Sequence, residues 1–245
     1  MRLKSALLFL SAVLAFNANF AHANLIKNGG FEANVINKSH IVNGKQLETN
    51  GITIKDWTSS KNGGNSGGYN FLMNSSNAHL DVGAMQLQGS GKDFFKSPSG
   101  GNFFASDPDY GPGTLKQLVE GLTIGSKYLL TFEFALAQQA NWTGANNDVF
   151  WQVGFGGKTQ DGKKLSIPEK GFSGWETASM VFTATSTSEW LSFLSQRTAS
   201  GGPPFMLLDN VQLRADVPEP ATWALMLAGL GMLGYFARRR SQGQA

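Results

Sequence analysis

KYLLTFEFALA, Lys127 to Ala137, decides the fold. Tyr128, Leu130, Phe132 and Phe134 share one parity, and Leu129, Thr131, Glu133 and Ala135 share the other. Apolar residues at every second position describe a strand with one face in a core, because successive side chains of a strand point to opposite sides. Outward from it, DVFWQVGFGG repeats the alternation with Val149, Trp151, Val153 and Phe155, and GWETASMVFTAT sets Ala178, Met180 and Phe182 against Thr177, Ser179 and Val181. EWLSFLS and FMLLDNVQLRA predict two more strands, and AMQLQ, NFFAS and TLKQLV predict shorter ones. Trp57, Trp151, Trp175 and Trp190 lie in or beside these runs and are assigned to the core. SSKNGGNSGGYN, residues 59–70, reads as a long loop rich in turn-tolerant glycine and asparagine. Strands separated by turn signals, with no helical period between them, predict an all-β, two-sheet jelly-roll sandwich, with a closed barrel as the alternative.

The two ends of the 245-residue chain have another character. MRLKSALLFLSAVLAFNANFAHA places Arg2 and Lys4 before an apolar stretch and ends in the small-x-small site Ala21-His22-Ala23, the pattern of a signal peptide over residues 1–23. It implies passage through the Sec translocon, cleavage by signal peptidase after Ala23, and a mature start at Asn24. An exported chain without cysteine holds no disulfide, so its stability rests on a packed core with or without a bound metal.

The sequence pI of about 9.1 points toward nucleic acid only until the charges are divided. Arg2, Lys4, Arg238, Arg239 and Arg240 belong to the two terminal segments, as does Glu219, which leaves 15 basic and 16 acidic side chains between them. A body this near neutrality, with no basic stripe, has little hold on a phosphate backbone, so no nucleic-acid partner is expected.

Few residues form a pattern that carries catalysis. GNSGG, residues 64–68, has the G-x-S-x-G spacing and follows His40 and Asp56, but it lacks the strand-turn-helix elbow that exposes a nucleophile. His40 and His79 have no ligand-like spacing. Asp107 and Asp109 in SDPDYGPG fit a turn or a second cation site better than a pair of glycosidase acids. The expectation is a non-enzymatic protein. Binding has more support: Tyr110 in SDPDYGPG and Trp142 in QQANWTGANND can expose flat rings, with Gln138, Asn141 and Asn146 near Trp142 as hydrogen-bonding groups. A ring beside amides matches the apolar face and polar rim of a sugar.

NLIKNGGFE, residues 24–32, and FMLLDNVQL, residues 205–213, resemble the first and last strands of galactose-binding-like, carbohydrate-binding-module-like β-sandwiches, and GTLKQLVEGLTIGSKYLLTFEFALAQQ resembles their middle. The resemblance covers most of a domain over residues 24–216. It implies a structural Ca2+ held by Glu32 and Asp209, hard oxygen ligands that suit this cation. The closing VPEPATWALMLAGLGMLGYFARRR, residues 217–240, resembles the PEP-CTERM sorting signal of Gram-negative bacteria in Val217, Pro218, Glu219 and Pro220, an apolar run, and the cluster Arg238, Arg239 and Arg240. At roughly 1.5 Å per residue, the ~17 residues 221–237 reach about 26 Å as a helix, just enough to cross an inner membrane with the arginines left in the cytoplasm. The resemblance implies an exosortase as partner and, after sorting, a place on the cell surface or in the matrix. An extracellular polysaccharide in exopolysaccharide or biofilm is then the expected ligand. The alternatives are a structural or adhesive surface protein without sugar binding, and a polysaccharide-acting hydrolase or lyase.

Overall fold

The structure is a computed structural model that describes residues 23–35, 45–46, 53–61, 69–74, 86–88, 97–216 and 229–232. Two antiparallel sheets face each other. One runs in the order β12 (Glu176–Thr183), β8 (Lys127–Gln138), β14 (Pro204–Ala215), β6 (Asn102–Ser106), β5 (Asn70–Asn74), β2 (Lys45–Gln46). The other runs β10 (Lys158–Asp161), β9 (Asn146–Phe155), β13 (Ser188–Arg197), β7 (Gly113–Glu120), β4 (Thr58–Lys61), with β11 (Leu165–Ile167) also paired to β9. A short ribbon joins β1 (Asn34–Val35) to β3 (Thr53–Ile54). From β4 onward the chain repeatedly changes sheet, so this is a sandwich of jelly-roll character and not a closed barrel.

Tyr128, Leu130, Phe132 and Phe134 of β8 point into the core between the sheets, where Trp151, Val153 and Phe155 of β9 and Leu191 and Phe193 of β13 meet them. Toward its end β8 loses its alternation because both faces are covered. Ala135 and Ala137 join Phe71, Phe103, Phe205 and Leu207 in a second apolar cluster on the outer face of the β8–β14–β6–β5 sheet. Inside the sandwich the sheets are also bound by polar contacts. Trp151 Nε1 donates to the Leu207 carbonyl at 3.1 Å. Ser59, Asn70, Ser106 and Ser195 form a buried chain of hydrogen bonds of 2.6–2.8 Å that crosses from one sheet to the other.

The stretch 59–70 is less of a loop than its composition predicts: Ser59, Ser60 and Lys61 belong to β4 and Asn70 begins β5, while residues 62–68 lie outside the described residues. Pairing with β7 and β6 supplies the ladder hydrogen bonds that override the turn preference of these polar residues. Of AMQLQ, only residues 86–88 are described, and Leu87 makes an isolated bridge to Gln139.

The segment from Asn24 to Glu32 closes the sandwich. Leu25 N donates to the Leu213 carbonyl at 2.8 Å, and Gln117 grips Lys27 through its backbone N at 2.9 Å and its carbonyl at 2.8 Å. Trp57 Nε1 reaches the Asn28 carbonyl at 3.0 Å. Gly29 lies so close to the last strand that a Cβ there would overlap the Val211 carbonyl oxygen, while Val211 N donates to Gly29 O at 3.0 Å. Gly30 has room, its Cβ position standing 3.8 Å from Asp209 Oδ1. Gly29→Ala must therefore push two backbones apart and lose about 2 kcal/mol, the usual scale of overpacking. Thermal unfolding should show a clear drop in Tm for Gly29→Ala and a near-native Tm for Gly30→Ala.

Candidate functional site

Three connections gather at one end of the sandwich: β6 to β7, β8 to β9, and β13 to β14. Asp107, which follows β6 and is 1% exposed, shapes the first of them. Its Oδ1 accepts Asp109 N at 2.7 Å and Tyr110 N at 3.3 Å, folding SDPDYGPG into a turn. Loss of water on burial raises the Asp107 pKa to about 6, and the neighbouring Asp109 charge adds to the rise. The two backbone N–H groups and the Arg197 guanidinium oppose it.

The turn holds Tyr110 outward, 71% exposed, with its ring edge-on to Tyr69 at a centroid distance of 5.0 Å. Tyr69 in turn packs on Phe71 at 4.6 Å and Phe205 at 5.8 Å, so the exposed ring stands on an aromatic stack rooted in the second apolar cluster. Burial raises the Tyr69 pKa, against a side-chain hydrogen bond with Gln139 and together with the charges of Asp107 and Tyr110.

The second connection carries Trp142, 53% exposed, and Asn141, exposed with a φ of 68°. Gln138 is fully buried beneath them: its Nε2 donates to the Trp142 carbonyl at 3.0 Å and its Oε1 accepts Lys170 N. Its amide braces the loop and does not face solvent. Asn146 is also fully buried, and neither of its amide atoms has a hydrogen-bond partner. The third connection ties the other two together. Arg197 pairs with Asp109, and its Nη1 also donates to Gly202 O at 3.3 Å, while Gly202 N reaches the Ala145 carbonyl at 3.2 Å. The structure therefore places Tyr110, Trp142 and Asn141 at one end of the fold and sets Gln138 and Asn146 under that surface.

Trp190 differs from its sequence assignment. Leu191 and Phe193 take the core parity of β13, so Trp190 falls on the open face of the sheet at 48% exposure, beside Leu118 of β7 and under the Lys116 ammonium at 4.7 Å. Thr58, Lys116, Ser192, Gly154 and Thr159 line up across four neighbouring pairings next to it. A Cβ at Gly154 would lie 2.5 Å from Ser192 Oγ, so the row stays shallow. The parity of EWLSFLS was the available signal. Trp57 and Trp151 are buried as expected, and Trp175 is partly buried against Phe103.

Glu32 and Asp209 lie on the opposite side of the first sheet from the core, bridged by residues 97–102. Asp209 Oδ2 accepts hydrogen bonds from Ser97 Oγ and, at 2.5 Å, Ser99 Oγ, while Oδ1 accepts Asn210 N at 2.7 Å. Glu32 Oε1 accepts Asn102 N at 2.7 Å. Glu133, directly across from Asp209 in the ladder, meets Ser99 Oγ at 3.4 Å and Asn210 Nδ2 at 3.3 Å. Burial raises the Asp209 pKa to about 7, aided by the Glu133 charge and opposed by the two hydroxyls and the Asn210 N–H. Among the described residues no lysine or arginine pairs with Asp209, and no group of three or more His, Cys, Asp or Glu is set to hold a metal. A cation here would rely on two carboxylates with neutral oxygens. That all-oxygen donor set around an uncompensated carboxylate fits a hard divalent cation.

Residues 1–22 of the expected 1–23 signal peptide, His40, Ser66, His79 and the residues Val217 to Pro220 and Arg238 to Arg240 lie outside the described residues. Residues 229–232 are helical, and among the described residues no helix is long and apolar enough to cross a membrane. Residues 216–241 match the PEP-CTERM protein-sorting motif, which marks an exported protein anchored transiently at the membrane. Halomucin of Haloquadratum walsbyi is 28% identical over 220 residues, covering 85% of this chain, and the chain spans 2% of halomucin's length. Among solved structures, TmCBM61 in complex with beta-1,4-galactotriose is 13% identical at a TM-score of 0.41, covering 79% of this chain and 99% of that one. The CBM22-1 xylan-binding domain of Xyn10C from Paenibacillus barcinonensis is 12% identical at a TM-score of 0.36, covering 66% and 87%.

Because burial holds the Asp107 pKa above its unfolded value, the folded state keeps a proton that the unfolded state releases between about pH 4 and pH 6. The stabilisation from that proton is complete below about pH 4 and is lost as pH rises through about 6. Asp107→Asn, which keeps an oxygen for the two turn N–H groups, should flatten the change in Tm across this window relative to the unsubstituted protein. An unchanged pH profile would remove Asp107 as its source.

Proposed function

We propose that this protein is an exported, exosortase-processed surface or matrix component whose β-sandwich binds extracellular polysaccharide and performs no catalysis. The observation that carries the reading is Tyr110, an exposed ring fixed in place by the Asp107 turn below and the Tyr69 stack beside it. A ring already held still loses little freedom when a sugar face stacks on it, so its binding energy is not spent on ordering. Trp142, whose backbone carbonyl is held by Gln138, supplies a second exposed ring, and Asn141 supplies an exposed amide beside it. The Asp107 and Asp109 carboxylates are committed to the turn and to Arg197, which supports binding over glycoside hydrolysis.

Glu32 and Asp209, with the hydroxyls of Ser97 and Ser99, would hold a Ca2+ whose role is structural. When bound, it supplies positive charge to a buried carboxylate and fastens the first segment to the last strand. Trp190 favours a second reading of where the polysaccharide lies: an exposed ring beside a shallow polar row suits a chain laid across the sheet.

Affinity electrophoresis of residues 24–216 through gels containing the host's own exopolysaccharide tests these readings. Retardation is expected, weakened about tenfold, or ~1.4 kcal/mol, by Tyr110→Ala or Trp142→Ala. Loss with Trp190→Ala alone would move the site to the sheet face. No retardation with or without Ca2+ would favour a structural or adhesive protein, and release of new reducing ends would favour an enzyme.

A further inference from the structure

The last strand ends at Ala215, and Asp216 N still donates to the Lys127 carbonyl at 2.8 Å. The sorting motif begins at that same Asp216. Four residues, 217–220, thus separate Asp216 at the edge of the folded body from Ala221, where the apolar run begins, five Cα–Cα steps in all. Fully extended, they reach about 18 Å at most. The first segment leaves the body at the same end, since Asn24 Oδ1 accepts Leu213 N at 2.9 Å and Leu25 N reaches Leu213 O at 2.8 Å.

This end is built from the turns 121–126 and 184–187. Ile124 stands at its tip, 63% exposed. The turn beneath it is firm: Gly125 N donates to Ala184 O at 2.8 Å, Leu122 N to Thr187 O at 3.0 Å, and Thr123 N to the Tyr128 hydroxyl at 2.8 Å. Leu122 is buried in the core, so Ile124 is displayed by the fold and not by a loose loop. Around it lie the exposed Thr123, Thr185, Ser186, Thr187 and Lys127, with Glu120 and Asp216 as the exposed acidic groups and Glu189 buried beneath, its carboxylate accepting Thr185 N and Ser186 N. Tyr110 and Trp142 lie at the other end of β14, about 36 Å away for a strand of this length.

We propose that, while the chain is held by its C-terminal segment, this end rests on the bilayer. Ile124 sits among the lipid headgroups, Lys127 faces their phosphates, and the Tyr110 and Trp142 end points away from the membrane. The proposal rests on reading residues 221–237 as a membrane span. With a tether this short, contact between turn and bilayer is an intramolecular event at high effective concentration, so a single isoleucine and a lysine suffice where they would not recruit a free protein. The geometry also leaves the ring-bearing end open to polymer outside the membrane.

The absence of cysteine from the sequence makes single labels clean. Residues 24–245 in phosphatidylethanolamine and phosphatidylglycerol vesicles would carry a nitrobenzoxadiazole label at Thr187→Cys, Tyr110→Cys or Ala228→Cys, with nitroxide lipids as quenchers. Quenching is expected at 228 and, by nitroxides near the headgroups, at 187, with none at 110. Adding Ile124→Asp should lower quenching at 187 to the level at 110 and leave 228 unchanged. Quenching at 228 with 187 no different from 110 would overturn the docking proposal alone. No quenching at 228 would overturn the membrane span, and the docking proposal with it.

Discussion

The Asp209 carboxylate is the constraint around which the closing of this sandwich is organised. Met206 and Leu208 point into the core, Asp209 points out, and Asn210 takes a φ of 47°, after which Val211 and Leu213 return to the core. Asp209 keeps the outward parity of Phe205 and Leu207, at zero exposure, where a bare carboxylate is costly, and the irregularity in the β8–β14 ladder that follows it returns Val211 to the core. Donors from Ser97, Ser99 and Asn210 offset that cost. The same hydroxyls position the loop whose next residues hold Glu32, and Val211 just beyond receives Gly29. First segment, middle loop and last strand are thereby fixed by one small set of contacts.

Much of this could be read from the chain because period-two alternation survives wherever one face of a strand is open. KYLLTFEFALA, DVFWQVGF and ETASMVFT all place their core residues on the expected parity. The signal fades where both faces are covered: β6 is buried throughout, and the starts of β14 and β5 are nearly continuous apolar runs whose register no alternation marks. β10 and β11 carry too little pattern to mark them: β10 is the polar KTQD, and β11 is three residues, LSI, whose Leu165 and Ile167 enter the core. Composition also misplaced β4 and the start of β5, where ladder pairing outweighs the turn preference of serine and asparagine.

The site residues divide along the same line. Tyr110 and Trp142 sit in Pro/Gly and Asn-rich connections, and such rings are exposed because no regular ladder carries them inward. Gln138 and Asn146 come from the ends of β8 and β9, where strand geometry points their amides beneath the surface. Trp190 was legible but outvoted: a large aromatic in a strand is usually core, yet its neighbours Leu191 and Phe193 already claim that face. What sequence spacing does not encode is the division of labour between the ends of the fold. One end carries rings braced on buried side chains, and the other receives both terminal segments.

Amide hydrogen exchange on Asp209→Asn tests the organising role of this carboxylate most directly. If the account holds, protection at Leu25, Asn102 and Val211 falls together, while the β7–β13–β9 ladder keeps its protection. A loss confined to Asn210, with those three amides exchanging as in the unsubstituted protein, would contradict it.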